Sequence, residues 1–156
     1  MDEEFAKRIP FWEEINSCKY LYLRNLLEPA DNQLQIVIEE AKAGRAVPDV
    51  DVGGVKIGKG DLRAIESDET CHRFKLSLKD YVGYSVINET TAAGDPAKNY
   101  IGRLLRLYTE SHFLDYLKSQ SDLFSVFTGT YLHLEICCLN HVINVVSKTI
   151  PLIEMM

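Results

Sequence analysis

Between Arg73 and Lys79 the chain alternates, with Phe74, Leu76 and Leu78 on one side and Arg73, Lys75, Ser77 and Lys79 on the other. A period of two sends successive side chains to opposite faces of a strand, so this stretch predicts a strand buried on one face. "YVGYSVIN" (81–88) continues in the same style and predicts an extended or bent strand pair with it. Upstream, apolar, aromatic and β-branched runs from Tyr20 to Leu27 and from Leu34 to Ile38 flank "EPADNQ", a cluster that favours a turn. The pattern predicts a β-hairpin over 19–43. The competing arrangement is a pair of helices, because Leu, Gln, Glu and Ala are good helix formers.

Pro10 interrupts a short helical lead over residues 2–16, since its ring cannot continue a preceding turn without losing a hydrogen bond. From Gly44 to Thr70 neither a period of 2 nor one of 3.6 is sustained, and an irregular surface segment with one short strand near "GVKIG" is expected. "TTAAGDPAKN" is a loop by composition, and "YIGRLLRLYT" is another strand-like run. In "ESHFLDYLKSQS", Phe113, Leu114 and Leu117 recur at helical spacing behind Ser111, which predicts a short helix with a serine cap. A last strand-like run is "YLHLEICCLNHVINVVS" (131–147). The expected fold is α+β, an antiparallel sheet of about five or six strands with one to three short helices, in a single domain over residues 1–156.

Composition fits this size: 46% hydrophobic and 26% charged residues make an ordinary globular chain able to bury about two-thirds of its unfolded surface. The net charge of −6 argues against a phosphate-backbone binder, which needs clustered Lys and Arg to release counterions, so no nucleic acid is expected. Acidity suits a basic protein partner and also serves solubility. The start "MDEEFAKRIPFW" lacks a basic and then apolar leader, and no run reaches the roughly 18 apolar residues of a membrane span. A cytoplasmic protein without membrane contact is therefore expected. Cys18, Cys71, Cys137 and Cys138 form no CxxC pair, and adjacent cysteines bridge only with strain, so reduced thiols are the natural state.

Three chemical motifs begin and fail. Gly53, Gly58 and Lys59 nearly spell a P-loop, but Gly60 stands where a magnesium-holding hydroxyl belongs, and no buried strand precedes it. Asp49, Asp51 and Gly54 start a calcium loop whose fifth and twelfth positions are Gly53 and Gly60. Ser85 follows Gly83 as in a nucleophile elbow, yet Ile87 occupies the place of the second glycine.

The run 131–147 gathers more. As a strand it projects His133, Glu135, Cys137 and His141 to one face. His133 and His141 are eight residues apart, about 26 Å along a strand or about 12 Å along a helix, too far for one ion. His133 with Glu135 could converge from a strand, whereas Cys137 with His141 could converge only from a helix. Either pair would need further ligands such as His72 or His112, because zinc takes three or four. The apolar neighbours Ile136, Leu139 and Val142 oppose a thiolate at the cysteines. The simpler reading makes the histidines and Asn140 hydrogen-bonded anchors of a mostly buried strand.

"YVGYSVINET" (81–90), "GRLLRLYTESHFLDYL" (102–117) and "HLEICCLNHVINVVS" (133–147) give the chain a resemblance to small uncharacterised bacterial proteins sometimes encoded near toxin genes. The resemblance implies an immunity protein that neutralises a toxin, and it carries no catalytic residues. It departs at Asn88, Glu89 and Thr90, where the pattern has Asn-Glu-Ser, and in "AAGDPAKN", which is less acidic and aromatic than the pattern. Asn88, Glu89, Tyr108, Ser111 and His112 flank strands at loop or helix-start positions and are candidates for a shared polar binding surface, or else caps and turn residues. The leading expectation is a non-enzymatic protein-binding module without cofactor, its partner a basic toxin. The alternative is a small metal-dependent enzyme using His133, Glu135, Cys137 and His141. Self-association through exposed strand edges is a third possibility.

Overall fold

The computed structural model describes residues 2–46, 48–57, 63–94, 99–122, 125 and 129–156. Pro10 divides the N-terminal lead, as expected, into α1 (Glu3–Ala6) and α2 (Trp12–Ser17). The Asp2 side chain caps α1 by accepting the Phe5 N–H at 2.9 Å, and Ala6, Ile9, Trp12 and Ile15 are buried.

The expected hairpin is β1 (Tyr20–Leu27) with β2 (Gln33–Ala46), antiparallel. β2 also pairs with β6 (Arg73–Lys79), which pairs with β12 (Leu152–Met155), while β5 (Arg63–Glu66) joins the far end of β2. A second five-stranded antiparallel sheet has the order β7 (Tyr81–Asn88), β11 (His141–Ser147), β10 (Leu132–Cys137), β9 (Leu105–Glu110), β8 (Asn99–Gly102). β3 (Val50–Val52) and β4 (Val55–Ile57) form a separate ribbon. Its turn is Gly53–Gly54, both at positive φ, so these glycines make a hairpin rather than a phosphate or calcium loop. Gly58, Lys59 and Gly60 lie outside the described residues. The helix expected behind Ser111 is α3 (His112–Gln120), and the Ser111 hydroxyl accepts the Leu114 N–H at 3.0 Å.

The inner faces of the two sheets meet in one apolar core. Leu34, Ile36 and Ile38 of β2 and Phe74, Leu76 and Leu78 of β6 face Leu105 and Leu107 of β9, Leu134 and Ile136 of β10, and Ile143 and Val145 of β11. Each such side chain stabilises by about 1.5–3 kcal/mol when fully removed from water. The fold is α+β, mostly sheet, with short helices.

Three turns redirect the runs read from sequence. β6 and β7 do not pair with each other. Asp80 between them, at φ 57°, sends the chain from one sheet to the other. "YIGRLLRLYT" is two strands, turned at Gly102 (φ +95°), where a Cβ would fall 2.1 Å from the Leu105 carbonyl oxygen and 2.8 Å from the Trp12 ring. "YLHLEICCLNHVINVVS" is likewise a hairpin, closed where the Cys138 N–H donates to the His141 carbonyl at 2.9 Å. That tip docks on β1. Leu139 N–H donates to Leu21 O at 2.8 Å, and the Asn140 amide accepts from Leu23 N–H at 2.9 Å and donates to Leu23 O at 3.0 Å. Among the described residues no helix is long and apolar enough to cross a membrane.

Candidate functional site

β10 alternates as its sequence predicts, with Leu132, Leu134 and Ile136 toward the core and His133, Glu135 and Cys137 on the outer face of the second sheet. Register then supplies their neighbours. Tyr108 and Val146 flank His133, Arg106 and Asn144 flank Glu135, and Val142 lies opposite Cys137. α3 covers part of this face. Phe113 packs 5.4 Å from the His133 ring, and Leu117 sits on Gly83, where a Cβ would approach it to 2.8 Å.

Under the helix, His133 is 1% exposed and stacked on Tyr108 with centroids 4.8 Å apart. Its Nδ1 is 2.6 Å from the Ser111 hydroxyl and its Nε2 3.0 Å from Asn144 Oδ1. The Asn144 amide then donates to Ser85 at 3.5 Å. An amide oxygen facing Nε2 places the ring proton there, leaving Nδ1 to accept from Ser111. The serine, histidine and asparagine resemble a hydrolytic triad in connectivity alone. Ser111 is 1% exposed and its oxygen caps α3, so no substrate reaches it. Both ring nitrogens of His133 are hydrogen-bonded within the fold, Nε2 as donor and Nδ1 as acceptor, so neither is turned toward a metal.

Glu135, 7% exposed, is held through one oxygen. Its Oε1 accepts from Arg106 Nη1 at 2.8 Å, from Tyr108 Oη at 3.2 Å and from the Cys137 thiol at 3.5 Å. Arg106 is fixed in turn by its Nε donating to the Arg103 carbonyl at 3.0 Å and by its plane lying 4.6 Å from the Tyr100 ring. Burial, with the Glu135 charge adding to it, pushes the Cys137 thiol up to about 12. Burial pushes Cys138 up to about 12 and Cys18 up to about 11. All three are protonated and inert at neutral pH.

Beyond the reach of α3 the same face forms the floor of a cavity of about 360 Å³, within the range of small-ligand sites. Arg106, Glu135, Cys137 and Val142 are the floor. Tyr20, Leu21 and Leu104 form a wall. The segment after β7 brings Glu89, Ala92 and Ala93 over it. Asn88 shapes that segment by accepting the Thr90 N–H at 3.1 Å and capping a single 3₁₀ turn, Glu89–Thr91.

The sequence candidates therefore separate. Tyr108 and Ser111 are each 1% exposed and belong to the buried network rather than to a surface. His112 is exposed at the start of α3, Glu89 lines the cavity and Asn88 is its cap. The proposed metal ligands do not converge. His133 lies opposite Val146, five residues from His141, so the two remain about 16 Å apart even in a hairpin. Val142 shares the face of Cys137, which puts His141 on the other face, and the enclosed His141 Nδ1 has no hydrogen-bond partner among the described residues. Among the described residues no three His, Cys, Asp or Glu side chains gather around a common point.

Sequence reading missed Arg106 and Asn144, whose roles depend on which strands become neighbours. It also missed Asn16, whose Oδ1 accepts the N–H groups of Arg103, Leu104 and Leu105 at 2.8, 2.9 and 3.1 Å. Arg103 answers by donating to the carbonyls of Asn16, Cys18 and Lys19 at the end of α2. These partners are more than 80 residues apart, and no local pattern announces them. Compared with protein-family models, curated proteins and solved structures, the chain finds no match.

Proposed function

We propose that this chain is a non-enzymatic protein-binding module for a basic partner, with immunity toward a toxin as its most concrete form. One observation carries the reading. Of the residues that looked chemical in the sequence, His133, Glu135 and Cys137 are bonded to one another or to neighbours that position them, His141 is turned to the other face away from them, and the thiols are held protonated. Such a set stabilises a fold and presents no activated nucleophile. The net charge of −6 adds electrostatic steering toward a cationic surface.

The test is capture from the protein's own cells, identification of the bound protein, and titration of the purified pair by calorimetry at low and high salt. A basic partner whose affinity falls at least tenfold between 50 and 300 mM salt, on the order expected for steered charge pairs, supports the proposal. Where the partner is a toxin encoded beside this gene, co-expression restores growth. Recovery of a small metabolite with no protein refutes the reading.

A further inference from the structure

Glu135 is more than nine-tenths buried, yet only its Oε1 is used. Among the described residues its Oε2 accepts no hydrogen bond, and the side chain lines the cavity. That oxygen stays accessible, since the fully enclosed side-chain atom without a partner among the described residues is His141 Nδ1, and an open acceptor on a side chain that lines the cavity is where an arriving donor can bind. Glu89 also lines this cavity, on an exposed turn. Among the described lining residues the cation is Arg106, which is already committed through Nε, Nη1 and its face. Among the described residues that line the cavity, two acidic side chains stand against one engaged guanidinium, which leaves positive charge in deficit. Leu21, Leu104, Val142 and Ala93 make the remainder apolar.

From this geometry we infer that the cavity is a socket for a lysine or arginine side chain of the partner. The charged head donates to Glu135 Oε2 and Glu89 while the methylene stem lies on the apolar wall. Long cationic side chains bury their stems and present their heads in this way. A charged donor meeting a carboxylate makes the stronger class of hydrogen bond. The inference rests on the protein-binding reading and names the contact through which it acts.

Two measurements test it on the full chain. The first probes the cavity with n-butylammonium, which copies a lysine side chain, against butanol and butyrate, by amide chemical shifts. The ammonium is expected to bind in the millimolar range, as five heavy atoms allow, shifting Cys137, Val142 and Ala93. Glu135→Gln is expected to weaken it at least tenfold. Because Glu135→Gln also disturbs Tyr108 and Arg106, Glu89→Gln on the exposed turn serves as an independent variant, expected to weaken it about threefold. The second measurement fills the cavity mouth with Ala93→Phe and titrates the captured partner, whose affinity is expected to fall at least tenfold. No shift with the ammonium, or an equal response to butanol or butyrate, overturns the inference. So does ammonium binding combined with undiminished partner affinity in Ala93→Phe. In each of these cases a captured basic protein still stands, whereas failure of the protein-binding reading shows itself as no protein captured at all.

Discussion

Replacing Asn140 by alanine tests whether the tip of the β10–β11 hairpin holds the two sheets together. The amide makes two hydrogen bonds to one residue, accepting from Leu23 N–H at 2.9 Å and donating to Leu23 O at 3.0 Å, at the point where β1 is bulged. Each bond is worth about 1 kcal/mol net, and each backbone group left unsatisfied costs about 1–3 kcal/mol when water cannot reach it. Leu23 is half-buried, so water recovers part of the loss, and about 2–4 kcal/mol of destabilisation is expected for Asn140→Ala. For a chain of this size that lowers the melting temperature by roughly 4–16 °C. Trp12, 6% exposed against the core, reports unfolding by fluorescence in a urea titration. Asn140→Asp sharpens the test. An ionised carboxylate still accepts from Leu23 N–H but faces Leu23 O with no proton to donate. The introduced group binds a proton more tightly folded than unfolded, so its folded pKa is raised above about 3.9. Its contribution is fully present below that value and is lost as pH rises through the raised one, by up to about 1.4 kcal/mol per pH unit. The gap between Asn140→Asp and wild type therefore narrows in acid. A loss under about 0.5 kcal/mol for Asn140→Ala, or a pH-independent gap for Asn140→Asp, refutes the proposed clasp.

Ser111→Ala removes the α3 cap and strands His133 Nδ1, which costs about 2–3 kcal/mol in a urea titration while leaving any background ester hydrolysis unchanged. A large loss of hydrolysis with unchanged stability would instead make Ser111 a nucleophile. Gly102→Ala forces a Cβ against the Leu105 carbonyl and the Trp12 ring at positive φ, and about 3 kcal/mol or more is lost, measured as the shift in urea midpoint. Because burial raises Cys18, Cys137 and Cys138 in the folded protein, the unfolded thiols release their protons first as pH climbs past about 8.5. Stability accordingly falls in alkali, and Cys138→Ala shows a shallower fall in denaturation scans between pH 8 and 10.

Much of the fold was legible where a single periodicity governs a single element. Phe74, Leu76 and Leu78 alternate because β6 has one face in the core and one in water. Ser111 announces α3 because a cap works through its own neighbours. Legibility fails where a run bends without turn chemistry. "RLL" after Gly102 and "CLN" after Cys137 carry hydrophobic residues straight through a reversal, since those leucines are themselves buried or docked on β1. Asp80 redirects the chain with one residue of positive φ, and the sequence on either side remains strand-like. At the site, period two put His133, Glu135 and Cys137 on one face from sequence alone. What could not be read was their company. Arg106, Asn144 and Ser85 arrive through the order β7-β11-β10-β9, and that order decides between a cluster of ligands and a satisfied network.

The same ambiguity sets the decisive experiment. Native mass spectrometry of the protein isolated from its own cells reads directly what it carries. The account expects a complex with one basic protein that dissociates as salt is raised, and no stoichiometric transition metal. A chain that retains a metal or a small molecule in stoichiometric amount, with no protein partner at any ionic strength, contradicts it.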